Sequence, residues 1–145
     1  MIKLRQRGSA MVEVVLLVPI LAFLMLAIVQ LSFLIHNYFL TADAVGVAAR
    51  FFISQASETQ AYQRTLAAVN EVAPNLNLTL TTTVNGTVCT DDTNPTCGAL
   101  LAQHAGEPAV VTVTYHVEPL FNIPLNRLPG WPQTFTNSVA YRVVE

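Results

Sequence analysis

The stretch Gly8-Ser9-Ala10-Met11-Val12-Glu13-Val14-Val15-Leu16-Leu17-Val18-Pro19, continued through Ile20, Phe23, Leu26 and Val29 to Leu34, decides how this chain folds. Between Val14 and Ala42 no residue carries a formal charge. Polarity there is limited to Gln30, His36, Asn37 and a few hydroxyls. A helix crosses a hydrocarbon core of ~30 Å with about 20 residues at ~1.5 Å each. Val14 to Leu34 supplies that length, and so long an uncharged run is out of place as the buried helix of a small soluble domain. The reading is a transmembrane span over Val14 to Leu34.

The flanks give the span a direction. Lys3, Arg5 and Arg7 precede it with no acid before Glu13, whereas Asp43 is the first charge after it and Arg50 follows. The positive-inside rule then holds the N-terminus in the cytoplasm and exports the chain beyond about residue 40. In a bacterium this means a single-pass inner-membrane protein with a periplasmic C-terminal domain. The whole chain fits that picture. Of its 145 residues, 52% are hydrophobic and only 11% charged, against roughly 25% charged in ordinary soluble domains. Mean hydropathy is +0.47. That composition excludes intrinsic disorder. The net charge of −2 supplies no basic field for nucleic acid.

Two cysteines, Cys89 and Cys97, flank Thr90-Asp91-Asp92-Thr93-Asn94-Pro95-Thr96. In an exported domain an even pair reads as a disulfide, worth about 2–3 kcal/mol for so short a loop. The competing reading is a metal loop of Cys89, Asp91, Asp92 and Cys97, but the spacing matches no zinc or calcium signature. The pair is therefore read as structural, with no metal.

Residues 1–8 form a basic leader, 9 to about 55 one long helix kinked at Pro19, and 56–145 a small periplasmic α+β domain. Beyond the span, Ala42, Val45, Ala49 and Phe52 continue an apolar stripe. Ala42 with Gly46, and Ala44 with Ala48, are small-xxx-small pairs that would let two helices approach closely, although an alanine-rich helix produces such spacings unaided. Ser57-Glu58-Thr59-Gln60 has the form of a capping box and predicts the start of a second short helix. Tyr62, Leu66, Val69 and Val72 would form its apolar face, and Pro74 would end it. The remainder reads as a small antiparallel sheet of three to four strands. Leu76–Val84, Val110–Val117 and Phe135–Val144 alternate apolar and polar residues, and Asn85-Gly86 is a hairpin turn leading to a short return strand through Val88. Pro119 to Pro132, with four prolines, reads as an apolar loop packed on the sheet or lying at the bilayer surface.

No catalytic pattern stands out: there is no Gly-x-Ser-x-Gly elbow, phosphate loop, dinucleotide glycine motif or His-Glu-x-x-His helix. His36, His104 and His116 are scattered and read as surface or capping residues. No enzyme activity and no cofactor are expected. Asn77-Leu78-Thr79 and Asn85-Gly86-Thr87 are glycosylation sequons by pattern only.

The chemistry-bearing cluster is at the front. Gly8 ends the basic leader and offers a peptidase a site free of side chain, with Ser9 following the cut. Five residues after Gly8 stands Glu13, a lone carboxylate at the mouth of the apolar run. Its burial costs about 2.5–3.5 kcal/mol near mid-bilayer and less near the interface. A carboxylate there calls for a partner, and the free amine of a cleaved Ser9, in the same or a neighbouring chain, is the nearest candidate. The alternative places Glu13 idle among the headgroups.

These residues resemble a known family. A basic leader, Gly8 before a small residue, Glu13 at the fifth position after the cut and Pro19 six residues later look like class III, prepilin-type signals. Arg7 to Glu13, Leu17-Val18-Pro19 and Ala48-Ala49-Arg50 are similar to the TadE-like pseudopilins of tight-adherence (Tad, Flp-type) type IV pilus systems. The tail, with Val111-Thr112-Val113-Thr114-Tyr115, the Pro119–Pro132 turn and a last strand from Thr136 to Val144 carrying Arg142, resembles that family's terminal strands, while residues 55–108 carry little likeness. Val14 departs from the aromatic often found after the glutamate, and the cysteine loop is not a general family mark. The resemblance implies a minor pilin or pseudopilin of pilus assembly and cell adhesion. It would be processed by a prepilin peptidase after Gly8 and partnered by other pilins, the assembly platform and inner-membrane lipid.

Two other classes fit parts of the sequence. A secreted protein with an ordinary signal peptide would use Ala42-Asp43-Ala44 as its cleavage pattern, but the apolar run is far longer than such peptides carry. A membrane-anchored periplasmic binding module would assemble its site from loops.

Overall fold

The computed structural model describes residues 6–93, 96–118 and 132–143. Lys3, Arg5, Asn94, Pro95, the 119–131 portion of the proline-rich segment and Val144, all of which figure in the sequence reading, lie outside them. The order of elements is α1 (Gln6–Ile53), α2 (Ala61–Val72), β1 (Leu78–Val84), β2 (Thr87–Cys89), α3 (Cys97–Gln103), β3 (Pro108–His116) and β4 (Thr134–Arg142). This is the α+β arrangement the sequence predicts: a long apolar N-terminal helix, a short second helix and an antiparallel sheet, here of four strands.

The chain divides into two units, Met1–Ile35 and His36–Glu145. The first is the N-terminal part of α1. Most of its apolar side chains face outward: Leu16, Val18, Phe23, Met25 and Ile28 are all more than half exposed, while Phe33 and Leu34 are half-buried. Pro19 lies inside the helix without ending it, although a proline has no N–H for the carbonyl four residues earlier. From Met11 onward the helix is long and apolar enough to cross a membrane.

The second unit has the core. The last turns of α1 contribute Ala44, Val45, Ala48, Ala49 and Phe52. The sheet contributes Leu80, Val84, Val111 and Val113, and the two short helices add Val69 and Leu101. Of the predicted stripe Val45, Ala49 and Phe52 are buried and Ala42 half-buried, and the face widens to take in Ala44 and Ala48, both completely buried. The Ala44/Ala48 pair is occupied by the unit's own core, so its small side chains serve intrachain packing and are not free to seat a second helix.

The sheet runs β2-β1-β3-β4, antiparallel throughout. Asn85 and Gly86 both take positive φ (45° and 81°), the backbone of a type I′ turn, which matches the right-handed twist of the flanking strands. Alternation places Ala109, Val111, Val113 and Tyr115 of β3 inward. On β1 the buried set is Leu80, Thr82 and Val84, with Leu78 half-buried. Thr82 is a core residue because its hydroxyl donates to the Cys89 carbonyl across the hairpin, which removes the cost of burying it.

Two local expectations are corrected. The capping box does not form: Ser57 has φ 71°, α2 begins only at Ala61, and its cap residue Gln60 makes no side-chain cap bond. Glu58 instead pairs with Arg64 at 3.0 Å on the surface. Second, the stretch after the cysteine loop is not strand-like. It forms α3, opened by Thr96, whose hydroxyl accepts from the Ala99 N–H at 3.3 Å. His104 ends this helix, its Nδ1 lying 3.0 Å from the Leu100 carbonyl oxygen, while His36 and His116 are exposed.

Candidate functional site

The residues singled out at the N-terminus all lie on α1. The helical backbone runs without a break through the Gly8–Ser9 bond and on past Glu13. Glu13 follows Ser9 by four residues, so the two share one helix face a single turn apart. Glu13 is exposed among the exposed Met11, Val12, Val14 and Val15. Thus one carboxylate sits on an otherwise apolar helical surface, one turn from the backbone nitrogen that cleavage after Gly8 would free.

The second feature is the cysteine loop. Cys89 and Cys97 form a disulfide with Cα atoms 5.8 Å apart. The loop it closes carries Asp92 to the start of α2, where one carboxylate oxygen accepts from the Tyr62 N–H and the other from the Gln63 N–H, each at 2.9 Å. A helix N-terminus leaves such N–H groups without intrahelical partners, and a carboxylate there also meets the positive end of the helix dipole. Asp91 turns the other way. The Thr93 hydroxyl and backbone N–H bind it at 2.6 and 3.2 Å, and these bonds hold its carboxyl below the ordinary value. Burial raises the Tyr62 phenol above its ordinary value, and the Asp91 and Asp92 carboxylates raise it further. The Tyr62 hydroxyl donates to the Leu80 carbonyl at 3.0 Å.

Behind the disulfide, Gly98 is buried against the α1–α2 connection. Its carbonyl accepts from the Ser57 N–H at 2.9 Å, and a β-carbon at this position would overlap the Glu58 carbonyl. The loop rim borders a shallow pocket of about 160 Å³, lined by Thr87, Val88, Cys89, Thr90, Asp91, Thr93 and Leu100. Among the described residues, no group of three or more His, Cys, Asp or Glu side chains could hold a metal ion. The sequence reading missed the Asp92 cap, as it missed the Thr96 cap of α3. The Asp92 signal, an acid 30 residues away from the helix it caps, is not local.

The arrangement defines a class first: a small α+β domain borne on one long apolar helix fit to cross a membrane. The family model for TadE-like proteins matches residues 8–50, so that the match opens on Gly8, takes in Glu13 and Pro19, and closes on Arg50. Residues 8–50 are therefore a TadE-like segment, a likeness that points to a protein associated with Tad-type pili. The C-terminal strands lie outside the matched residues. No curated protein and no solved structure matches the chain.

Proposed function

We propose that this chain is a membrane-anchored minor pilin or pseudopilin that acts in the assembly of Tad-type pili. The observation that carries the reading is the coincidence of the TadE-like match, residues 8–50, with a helix whose apolar side chains from Met11 to Val29 are largely exposed and which bears one carboxylate, Glu13, in that stretch. In this reading a prepilin peptidase cuts after Gly8 on the cytoplasmic face and removes Lys3, Arg5 and Arg7. The mature helix then begins at Ser9, with a free ammonium at the positive end of its dipole. Glu13, one turn on, neutralises that ammonium in its own helix or in a neighbour's. In a low-dielectric setting an unpaired carboxylate is costly and a paired one is held in place. The pair therefore fixes axial register when apolar helices associate side by side.

Val14 to Leu34 spans the inner membrane, and the domain from about residue 56 stands in the periplasm, where its disulfide forms. The protein acts by assembly with other pilins and the assembly platform, without enzymatic turnover, cofactor or metal. The experiment is complementation of a deletion strain with Glu13→Ala and Glu13→Asp, with processing scored by gel shift and pili by microscopy. Glu13→Ala should still insert and be cut but fail in piliation, and Glu13→Asp should fall between it and the native protein. Normal piliation by processed Glu13→Ala protein would remove the register mechanism.

A further inference from the structure

One rim of the His36–Glu145 unit is built from aromatic side chains of three elements. Tyr38 and Phe39 stand on α1, Tyr115 near the end of β3 and Phe135 near the start of β4. The Tyr38 and Phe135 rings meet edge-on with centroids 5.5 Å apart. Phe135 stacks on Tyr115 at 6.4 Å and Tyr38 meets Phe39 at 6.0 Å. Register fixes the row, because Leu78 pairs with Tyr115 and Tyr115 with Phe135. The buried Asn37 side chain ties helix to sheet here, its amide donating to the Tyr115 hydroxyl at 3.0 Å.

The rim is not sealed into the core. Phe39 is 60% and Tyr38 42% exposed. No formal charge occurs on α1 from His36 until Asp43, and among the described residues the exposed groups beside the aromatics include Ile35, His36, His116, Glu118, Gln133 and Thr134. The opposite rim, eight residues along β4, holds the exposed Arg142, Glu107 and the Asn85-Gly86 turn.

What covers the aromatic rim follows from chain length. Phe39 lies only five residues beyond Leu34, the end of the proposed span, so the chain itself keeps it within about 18 Å of the hydrocarbon edge. The headgroup region adds about 5–7 Å on each side of a ~30 Å hydrocarbon core. Tyr38 and Phe39 are thus within reach of the headgroup layer, where amphipathic rings are favoured, and Phe135 meets Tyr38 directly and stacks on Tyr115. We infer that the exported domain rests on the bilayer through this rim, with Tyr38, Phe39 and Phe135 seated among the lipid headgroups as a belt assembled from helix and sheet. The inference rests on the proposed membrane span. The contact orients the sheet with its Arg142 end away from the lipid.

The test uses the full chain in phosphatidylcholine vesicles, with its disulfide intact and one introduced cysteine carrying a nitroxide. Three positions are compared: Leu24→Cys within the span, Thr134→Cys beside the aromatic row, and Arg142→Cys about 27 Å further along the same strand. Collision with oxygen against collision with a water-soluble nickel chelate gives depth. The Leu24 label should read as deep hydrocarbon, the Thr134 label as headgroup level and the Arg142 label as aqueous. Adding Tyr38→Ser and Phe39→Ser should shift the Thr134 label toward the aqueous value and leave the Leu24 label unmoved. A deep Leu24 label with Thr134 reading the same as Arg142 would overturn the docking and leave the span standing. A Thr134 label shielded from both reagents would assign the rim to a protein neighbour and also overturn it. An aqueous Leu24 label would remove the span, and the docking with it.

Discussion

The Asp92 carboxylate holds the N–H groups of Tyr62 and Gln63, both at 2.9 Å, so the first turn of α2 is capped by a residue 30 positions downstream. The Cys89–Cys97 bridge closes the loop that delivers it. Covalent staple and helix cap are therefore parts of one device that joins the cysteine loop to α2.

Replacing Asp92 by alanine should cost about 1 kcal/mol, the usual scale for loss of an N-cap. The amides of Tyr62 and Gln63 should exchange with solvent faster, while the amides of β1 and β3 keep their protection. Native-state hydrogen exchange measures both.

Cys89→Ser with Cys97→Ser should destabilise the His36–Glu145 unit by about 2–3 kcal/mol, through the closed-loop entropy, and leave the proposed membrane anchoring unchanged. Adding Asp92→Ala to the cysteine variant should cost less than it costs the native protein, because a loop without its bridge no longer presents the carboxylate. A double-mutant cycle on thermal unfolding reads the coupling.

Gly98→Ala should destabilise by about 1–3 kcal/mol, the scale of overpacking a filled interior. The new methyl group meets backbone, the Glu58 carbonyl, and backbone cannot swing aside as a side chain would. The midpoint of chemical denaturation is the measurement, with Gly46→Ala, where the added group meets nothing, as the control.

The Tyr62 phenol is raised in the folded state, by burial first and then by Asp91 and Asp92. A group raised by folding contributes stability that is complete below its unfolded value, near 10 for tyrosine, and is lost as pH climbs through the folded value. Native protein should therefore lose stability in strongly alkaline solution more steeply than Tyr62→Phe. The ultraviolet titration of the native protein should contain one tyrosine that ionises late, and Tyr62→Phe should lack it.

Much of this architecture is visible in the residues themselves, wherever a local cause decides the local structure. The uncharged run marks the long helix, Asn85-Gly86 marks the hairpin, and the alternation read from Val110 to Val117 puts Val111, Val113 and Tyr115 on the inner face of β3. The failures share a physical origin. Ser57 to Gln60 has the right letters for a capping box, but the Gly98 carbonyl draws the Ser57 N–H into a tertiary bond, and Asp92 supplies the cap from afar. The spacing of Ala44 and Ala48 leaves open whether they seat a second helix or only favour helix formation, and the core they join decides it. Helix α3 hides in seven residues too few to show a period. At the N-terminus, Gly8, Ser9 and Glu13 lie on one helix, within the residues that the TadE-like model matches.

The central claim, that this chain is cut at its leader and matures as a pilin-like subunit, is tested most directly by the intact mass of the protein extracted from membranes of a Tad-competent host. The account predicts one species that has lost residues 1–8 and begins at Ser9, with Gly8→Leu retaining the leader because a branched side chain fills the space that glycine leaves open. A mature, functional protein that keeps Met1 to Gly8, or one that begins after Ala44, would contradict it.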